Sequence, residues 1–208
     1  MPNEIDLSSM ILVLASGSPR RLELLRGMGL APEVVPSGLP ERFEPGEPPR
    51  ALVRRLAEAK GRDVLPRLRR RSVVLAADTE VTLDGRVLGK PRDADHAVEM
   101  LLALCGREHE VLTGVFLVRS DDGRSVCEVE STRVAFRRYD RATIERYVAT
   151  GEPMDKAGAY AIQGEGSRLV RSVVGSWSNV VGLPCERLGP WLERIGLSLA
   201  ALRRLRAD

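Results

Sequence analysis

The sequence predicts one α/β domain spanning residues 1–208, with a mixed central sheet flanked by helices and two lobes meeting at a central cleft. Three observations carry that prediction. Strand-to-helix units open the chain, with apolar runs at 10–15 and 72–77 and helical patterns following the first run and preceding the second. Turn dipeptides in the middle, Asp84-Gly85 and Asp122-Gly123, place antiparallel pairs beside those units. No linker divides the chain, and 208 residues suffice for one substantial core.

The first strand breaks at Gly17 before the helical pattern Leu22, Leu24, Leu25 and Met28. Ser18 suits the N-cap, and Pro19 suits the first helical position, where its missing N–H costs nothing. Arg20 and Arg21 then occupy a first turn whose dipole favours acids, which costs a few tenths of a kcal/mol. Free N–H groups, two serine hydroxyls and two guanidiniums at one spot make an anion site. The alternative is a solvated turn with both arginines in water.

Residues 31–35 read as a short strand, 42–49 as an exposed loop, and 50–65 as a helix with Leu52, Leu56 and Ala59 at helical spacing. The basic stretch 67–71 sits at that helix's end, where the dipole favours cations. The β-branched run 72–77 reads as a strand buried on both faces that delivers Asp78 and Thr79 at its C-terminal end, where open α/β sheets bind ligands. The hairpin at Asp84-Gly85 then returns Lys90 toward Asp78.

Asp93 or Asp95 caps a helix that Gly106 stops; 111–118 and 125–136 read as a strand pair, and Asp140 to Gly151 brackets another helix. The Gly-rich, polar stretch 152–164 has little amphipathic period and reads as a functional loop. A strand at 169–174 and an amphipathic helical region from Pro184 complete the chain. His109, before a strand, is expected to be hydrogen-bonded structure, His96 to be exposed and Cys105 to lie in the core.

Composition excludes several classes. The 32 basic and 29 acidic side chains are interspersed, so charge alone argues for no nucleic-acid partner. Three scattered cysteines without CxxC make neither a disulfide framework nor a structural zinc site. Residues 1–9 carry no basic leader region, and no apolar run approaches the roughly 18 residues of a membrane span, so a cytoplasmic protein is expected. No P-loop, HExxH, GxSxG or GxGxxG is present.

What remains is a mixture suited to phosphoryl chemistry: carboxylates at Asp78, Glu41 and Asp155 among cations at Arg20, Arg21, Lys60, Lys90 and Lys156. Cations neutralise polyphosphate, hard oxygens hold Mg²⁺ or Mn²⁺, and a carboxylate deprotonates a water for attack on phosphorus. Each residue also has a plainer reading, such as a turn cap at Asp78 or a surface ion pair at Asp155-Lys156.

The residues at 14–21 (Leu-Ala-Ser-Gly-Ser-Pro-Arg-Arg), 77–79 (Ala-Asp-Thr), 88–91 (Leu-Gly-Lys-Pro), 155–160 (Asp-Lys-Ala-Gly-Ala-Tyr), 162–164 (Ile-Gln-Gly) and 181–184 (Val-Gly-Leu-Pro) resemble the Maf-like nucleoside triphosphate pyrophosphatases. The resemblance implies the fold of the inosine triphosphate pyrophosphatases, cleavage of a nucleoside triphosphate to monophosphate and pyrophosphate, a divalent cation, and a homodimer. By position it implies Asp78 as proton acceptor, Ser16, Ser18, Arg21, Lys60 and Lys90 on the phosphates, and Glu41 with Asp78 on the metal. It also places Arg20, Thr79 and Gln163 at positions that choose the substrate. The wording is similar to the dTTP and UTP branch, and a Gln163 carboxamide offers a donor and an acceptor to a pyrimidine edge.

The chain departs from the family at Glu80, where an apolar residue is usual, at Ala161 for Gly, and at Pro40-Glu41 for Asp-Glu. Strand alternation puts Glu80 on the face of Asp78, where it either joins the metal shell, raises the Asp78 pKa, or stands as a solvated strand-end carboxylate. A non-enzymatic nucleotide-binding regulator of division is the competing class, opposed by the retained Asp78 and Lys90. Nucleic-acid binding through 67–71 and 203–206 is the weakest option and predicts salt-dependent retention on DNA.

Overall fold

A computed structural model describes residues 10–205. The leader reading of residues 1–9 and the Arg206 end of the C-terminal basic cluster fall outside the described residues. The chain runs β1 (Ile11–Leu14), α1 (Pro19–Gly27), β2 (Glu33–Val34), α2 (Pro49–Val64), β3 (Ser72–Leu83), β4 (Arg86–Val87) and α3 (Ala94–Leu104). It continues through β5 (Glu108–Arg119), β6 (Ser125–Phe136), α4 (Arg141–Val148), β7 (Val170–Val174), α5 (Trp177–Val181), α6 (Cys185–Arg194) and α7 (Leu199–Leu202).

The strands form one mixed sheet in the order β2-β1-β3-β5-β6-β7, with β4 paired to β3. β1 is parallel to β2 and β3, whereas β3, β5, β6 and β7 alternate in direction. Helices cover both faces, as the alternation of apolar runs and helical patterns predicts. No described helix is long and apolar enough to cross a membrane.

β3 is longer than the sequence suggests. Asp78 and Thr79 do not end it; the strand continues through Glu80-Val81-Thr82-Leu83 to the Asp84-Gly85 turn, and Asp78 faces Gly114 of β5 in mid-strand. Glu80 interrupts the apolar run in the sequence, but Val81 and Thr82 are β-branched and pair with Val111 and Glu110. The solvated strand-end reading of Glu80 is thereby overturned: it is 6% exposed. The return strand is only Arg86–Val87, so Lys90 sits in the loop beyond it.

On the other edge of β3, β1 pairs with Ser72–Leu75 and β4 with Thr82 and Leu83. Between them the edge at 76–81 has no strand partner among the described residues. β1 stops because the chain breaks at Gly17 into α1, whose N-terminus lies at this gap. Asp93, not Asp95, caps α3 by accepting from the His96 N–H at 2.7 Å, and Asp140 caps α4 through the Thr143 N–H at 2.9 Å.

The helix α2 lies close on the sheet. A Cβ at Gly114 would stand 2.1 Å from the Val53 carbonyl oxygen, and one at Gly61 2.4 Å from the Phe116 ring. Both glycines therefore set how near α2 carries Lys60 to Asp78. The 31–35 strand shrinks to the exposed pair Glu33–Val34, and the 152–164 stretch becomes short 3-10 turns at Glu152–Asp155 and Ala157–Ala159. Trp191 is core, while Trp177 is 49% exposed. In the basic stretch Arg67 pairs with Asp63 and Arg71 with Asp121.

Gly114→Ala should destabilise the fold by about 3 kcal/mol, because the clashing partner is backbone and cannot rotate away; chemical denaturation measures it. His109 is buried, with Nε2 2.9 Å from the Tyr160 hydroxyl oxygen, and burial pulls its imidazole from 6.5 down to about 4. The unfolded chain therefore takes up that proton first as pH falls, so stability present above pH 6.5 is lost between there and pH 4. The loss amounts to roughly 3 kcal/mol, and His109→Gln should show a correspondingly flatter Tm between pH 7 and 4.5 than the parent.

Candidate active site

The cleft opens at the uncovered edge of β3 and has a volume of about 540 Å³. Because it straddles a strand edge, it reaches both faces of the sheet. Asp78 and Glu80 point to the α2 face with Lys60, and Thr79 points to the opposite face. The 15–21 turn, Glu41, Lys90, Asp155 and Lys156 complete its wall. Ser16, Ser18, Arg20, Arg21, Glu41, Lys60, Asp78, Thr79 and Lys90 are thus brought together, as expected from sequence.

Gln163 is not brought in. It is exposed and lines a shallower neighbouring depression with Leu24, Met28, Trp177 and Cys185. The depression and the cleft both run along α1, the cleft at Pro19–Arg21 and the depression from Glu23 to Met28.

Ser18 occupies the N-cap of α1 without a side-chain capping bond; its N–H donates instead to the Ser16 hydroxyl at 3.2 Å. The first turn therefore keeps N–H groups for an anion. Arg21 does not point into water. It is 9% exposed and donates from Nε to the Gly182 carbonyl at 2.9 Å, from Nη1 to Ser16 Oγ at 3.0 Å, and from Nη2 to Thr79 Oγ1 at 3.0 Å. Among the described residues no carboxylate lies within ion-pair distance of it. Burial lowers its pKa, opposed by the charges of Asp78 and Glu41, and its retained charge favours an anion at the turn.

Across the cleft, Lys60 Nζ lies 2.5 Å from Asp78 Oδ1 and 2.6 Å from Glu41 Oε1. Lys90 Nζ is 4.0 Å from Glu41 Oε2, and Arg20 pairs with Asp155 at 3.6 Å. Burial pushes the Glu41 carboxyl up, but the hydrogen bond from Lys60 and the charges of Lys60, Lys90 and Arg21 hold it below its usual value. Burial first, and then the charges of Asp78 and Glu41, push Glu80 up to about 8. Asp78 Oδ2 and Glu80 Oε2 are buried oxygens with no hydrogen-bond partner among the described residues.

The donor set fits a divalent cation. One ammonium already bridges two carboxylates, and Asp78 keeps a free oxygen of the hard type that Mg²⁺ and Mn²⁺ take. No three His, Cys, Asp or Glu among the described residues converge tightly enough to hold a metal alone, so water or substrate oxygens must supply the rest.

With this geometry in place, the chain's relatives become informative. Residues 11–195 match the family described as Maf-like protein. The chain belongs to that family. A dTTP/UTP pyrophosphatase of Anaeromyxobacter dehalogenans strain 2CP-C is 55% identical over 190 residues, covering 90% of this chain and 95% of that one. Namesakes from Nitratidesulfovibrio vulgaris (49% identity, 89% of this chain and 88% of the other) and Syntrophomonas wolfei (46%, 89% and 98%) match as fully.

Sequence reasoning missed two parts of this Maf-like site. Thr79 is locked from behind: its hydroxyl lies 2.9 Å from that of Thr113, which donates to the Asn179 carbonyl at 3.3 Å. The late loop is also pinned, because Glu152 accepts from the Tyr147 hydroxyl at 2.9 Å and from the N–H groups of Glu165 and Gly166 at 3.0 Å. The spacing Gly164-x-Gly166 was the available signal, since a Cβ at Gly164 would meet the Glu152 carboxylate at 2.1 Å.

Arg21→Lys should remove at least two of the three buried bonds and cost about 2 kcal/mol of stability, since an ammonium lacks the planar fork. Thermal unfolding of the variant measures the loss. An unchanged Tm would remove Arg21 from its structural place behind the turn.

Proposed function

We propose that this Maf-like protein hydrolyses dTTP and UTP to the monophosphate and pyrophosphate in the cleft beside β3. The observation that carries the reading is Asp78: a 3% exposed carboxylate with one oxygen on Lys60 and the other unpartnered, facing an anion-binding turn. The relatives named dTTP/UTP pyrophosphatase, matched over nearly their whole length, support the same substrates.

In this reading the triphosphate lies on the free N–H groups of the α1 first turn and the hydroxyls of Ser16 and Ser18, with Arg20 and Lys90 at its flanks. Arg21 supplies charge from behind, and Thr79 holds Arg21 in place. Lys60 leaves its bridge between Glu41 and Asp78 far enough to meet a phosphate oxygen. Asp78 accepts a proton from the attacking water, the α–β anhydride bond breaks, and pyrophosphate departs with the bridging oxygen. Asp78 and Glu41 would hold a divalent cation, which would supply neutralisation of phosphate charge and polarisation of the phosphoryl oxygens.

The base reaches toward the depression along α1, where the exposed Gln163 carboxamide offers both donor and acceptor to a pyrimidine. Gln163→Ala should therefore raise KM for dTTP and UTP more than it lowers kcat.

Pyrophosphate release from a panel of nucleoside triphosphates with Mg²⁺ or Mn²⁺ tests the reading. The wild type should turn over dTTP and UTP, and Asp78→Asn should lose roughly 100-fold or more of kcat, the usual span of a general base. Nucleotide binding without turnover in the wild type would overturn it in favour of a nucleotide-binding regulator.

A further inference from the structure

The proposed reaction uses Asp78 and leaves a second buried carboxyl beside it unexplained. Glu80 lies two residues along β3, on the same face, and lines the same cleft. The residue is 6% exposed, and its Oε2 has no hydrogen-bond partner among the described residues. A buried carboxyl with an orphan oxygen costs the fold free energy. Val or Ile at this central strand position would satisfy the strand at no such cost.

Two orphan oxygens therefore face one cleft from adjacent same-face positions: Asp78 Oδ2 and Glu80 Oε2. The nearby cations do not satisfy them. Lys60 is engaged with Asp78 Oδ1 and Glu41 Oε1, and Lys90 approaches Glu41 only to 4.0 Å. Two hard carboxyl oxygens without a hydrogen-bond partner among the described residues suit a divalent cation whose remaining positions go to water and phosphate.

We propose that Glu80 is a cation ligand of this chain, joining Asp78 on the α2 face of β3 at the Mg²⁺ or Mn²⁺ site. The inference deepens the proposed pyrophosphatase reading and rests on it for the identity of the cleft. It also accounts for a second acid on a strand whose interior, Asp78 aside, is otherwise apolar or hydroxylic.

The test is Mn²⁺ binding without nucleotide, followed by the electron paramagnetic resonance signal of free Mn²⁺ and by the Tm of the full chain. The wild type should bind one Mn²⁺ and gain Tm with it. Glu80→Gln should bind about tenfold or more weakly, as expected when a ligand set loses a member, and should lose most of the Mn²⁺-dependent Tm gain. Glu80→Asp keeps the charge but withdraws the oxygen by one methylene, and it should weaken binding too.

Glu80→Val serves as the folding control. Without metal its Tm should equal or exceed that of the wild type, since the unsatisfied carboxyl is gone. Wild-type Mn²⁺ affinity in Glu80→Gln, or in Glu80→Asp alone, would overturn the ligand assignment. The two readings fail separately: turnover of dTTP with Glu80-independent Mn²⁺ binding sinks only the ligand, and Glu80-dependent Mn²⁺ binding without turnover sinks only the reaction.

Discussion

The site depends on an unequal pairing. β3 has twelve residues and β1 only four, so the edge of β3 beyond Leu75 is left uncovered until β4 returns at Thr82. An uncovered edge in the interior of a sheet is costly unless something fills it. Here the turn at 15–19 and the N-terminus of α1 enter the gap, and the remaining space is the cleft. The same arrangement gives a ligand access to both faces of one strand. Acids stand on the α2 face, and the Arg21 and Thr79 network stands on the other.

Charge is then distributed by burial. Arg21, held by a carbonyl and two hydroxyls with no carboxylate within ion-pair distance among the described residues, keeps its positive field for the turn. Asp78 and Glu80 each present to the other side of the cleft a buried oxygen with no hydrogen-bond partner among the described residues. Lys60 stands between, already holding two carboxylates together. A polyphosphate with a divalent cation presents the complementary pattern, anionic oxygens for the turn and a cation for the acids. Glycines at 61 and 114 permit this spacing by letting α2 approach β5, so a packing constraint determines where Lys60 sits.

Much of this was legible in the residues. The strand-to-helix turn, with Pro19 at the first helical position and arginines where acids belong, stood out in the sequence, and the turn dipeptides located the hairpins. The mixed sheet followed from the order of apolar runs and helical patterns. Local pattern could not set the length of β3, because acids at positions 78 and 80 read as the end of the apolar run 72–77. Pairing along β5 decides that length. Nor could spacing show that Arg21 turns inward, which depends on the Gly182 carbonyl 161 residues away. Gln163 shows the reverse: its chemistry was readable, while its place beside Trp177 depends on how the Glu152-pinned loop lies.

In the proposed reading the triphosphate lies at the uncovered edge of β3, between the α1 turn and Asp78. A crystal structure of the wild-type chain with Mn²⁺ and a dTTP analogue carrying a non-hydrolysable α–β linkage tests it most directly. The phosphates should lie on the Ser16 to Arg21 turn, with Lys60 and Lys90 beside them and the ion at Asp78. A triphosphate bound anywhere else, such as the depression beside Trp177, with the cleft left to solvent, would contradict it.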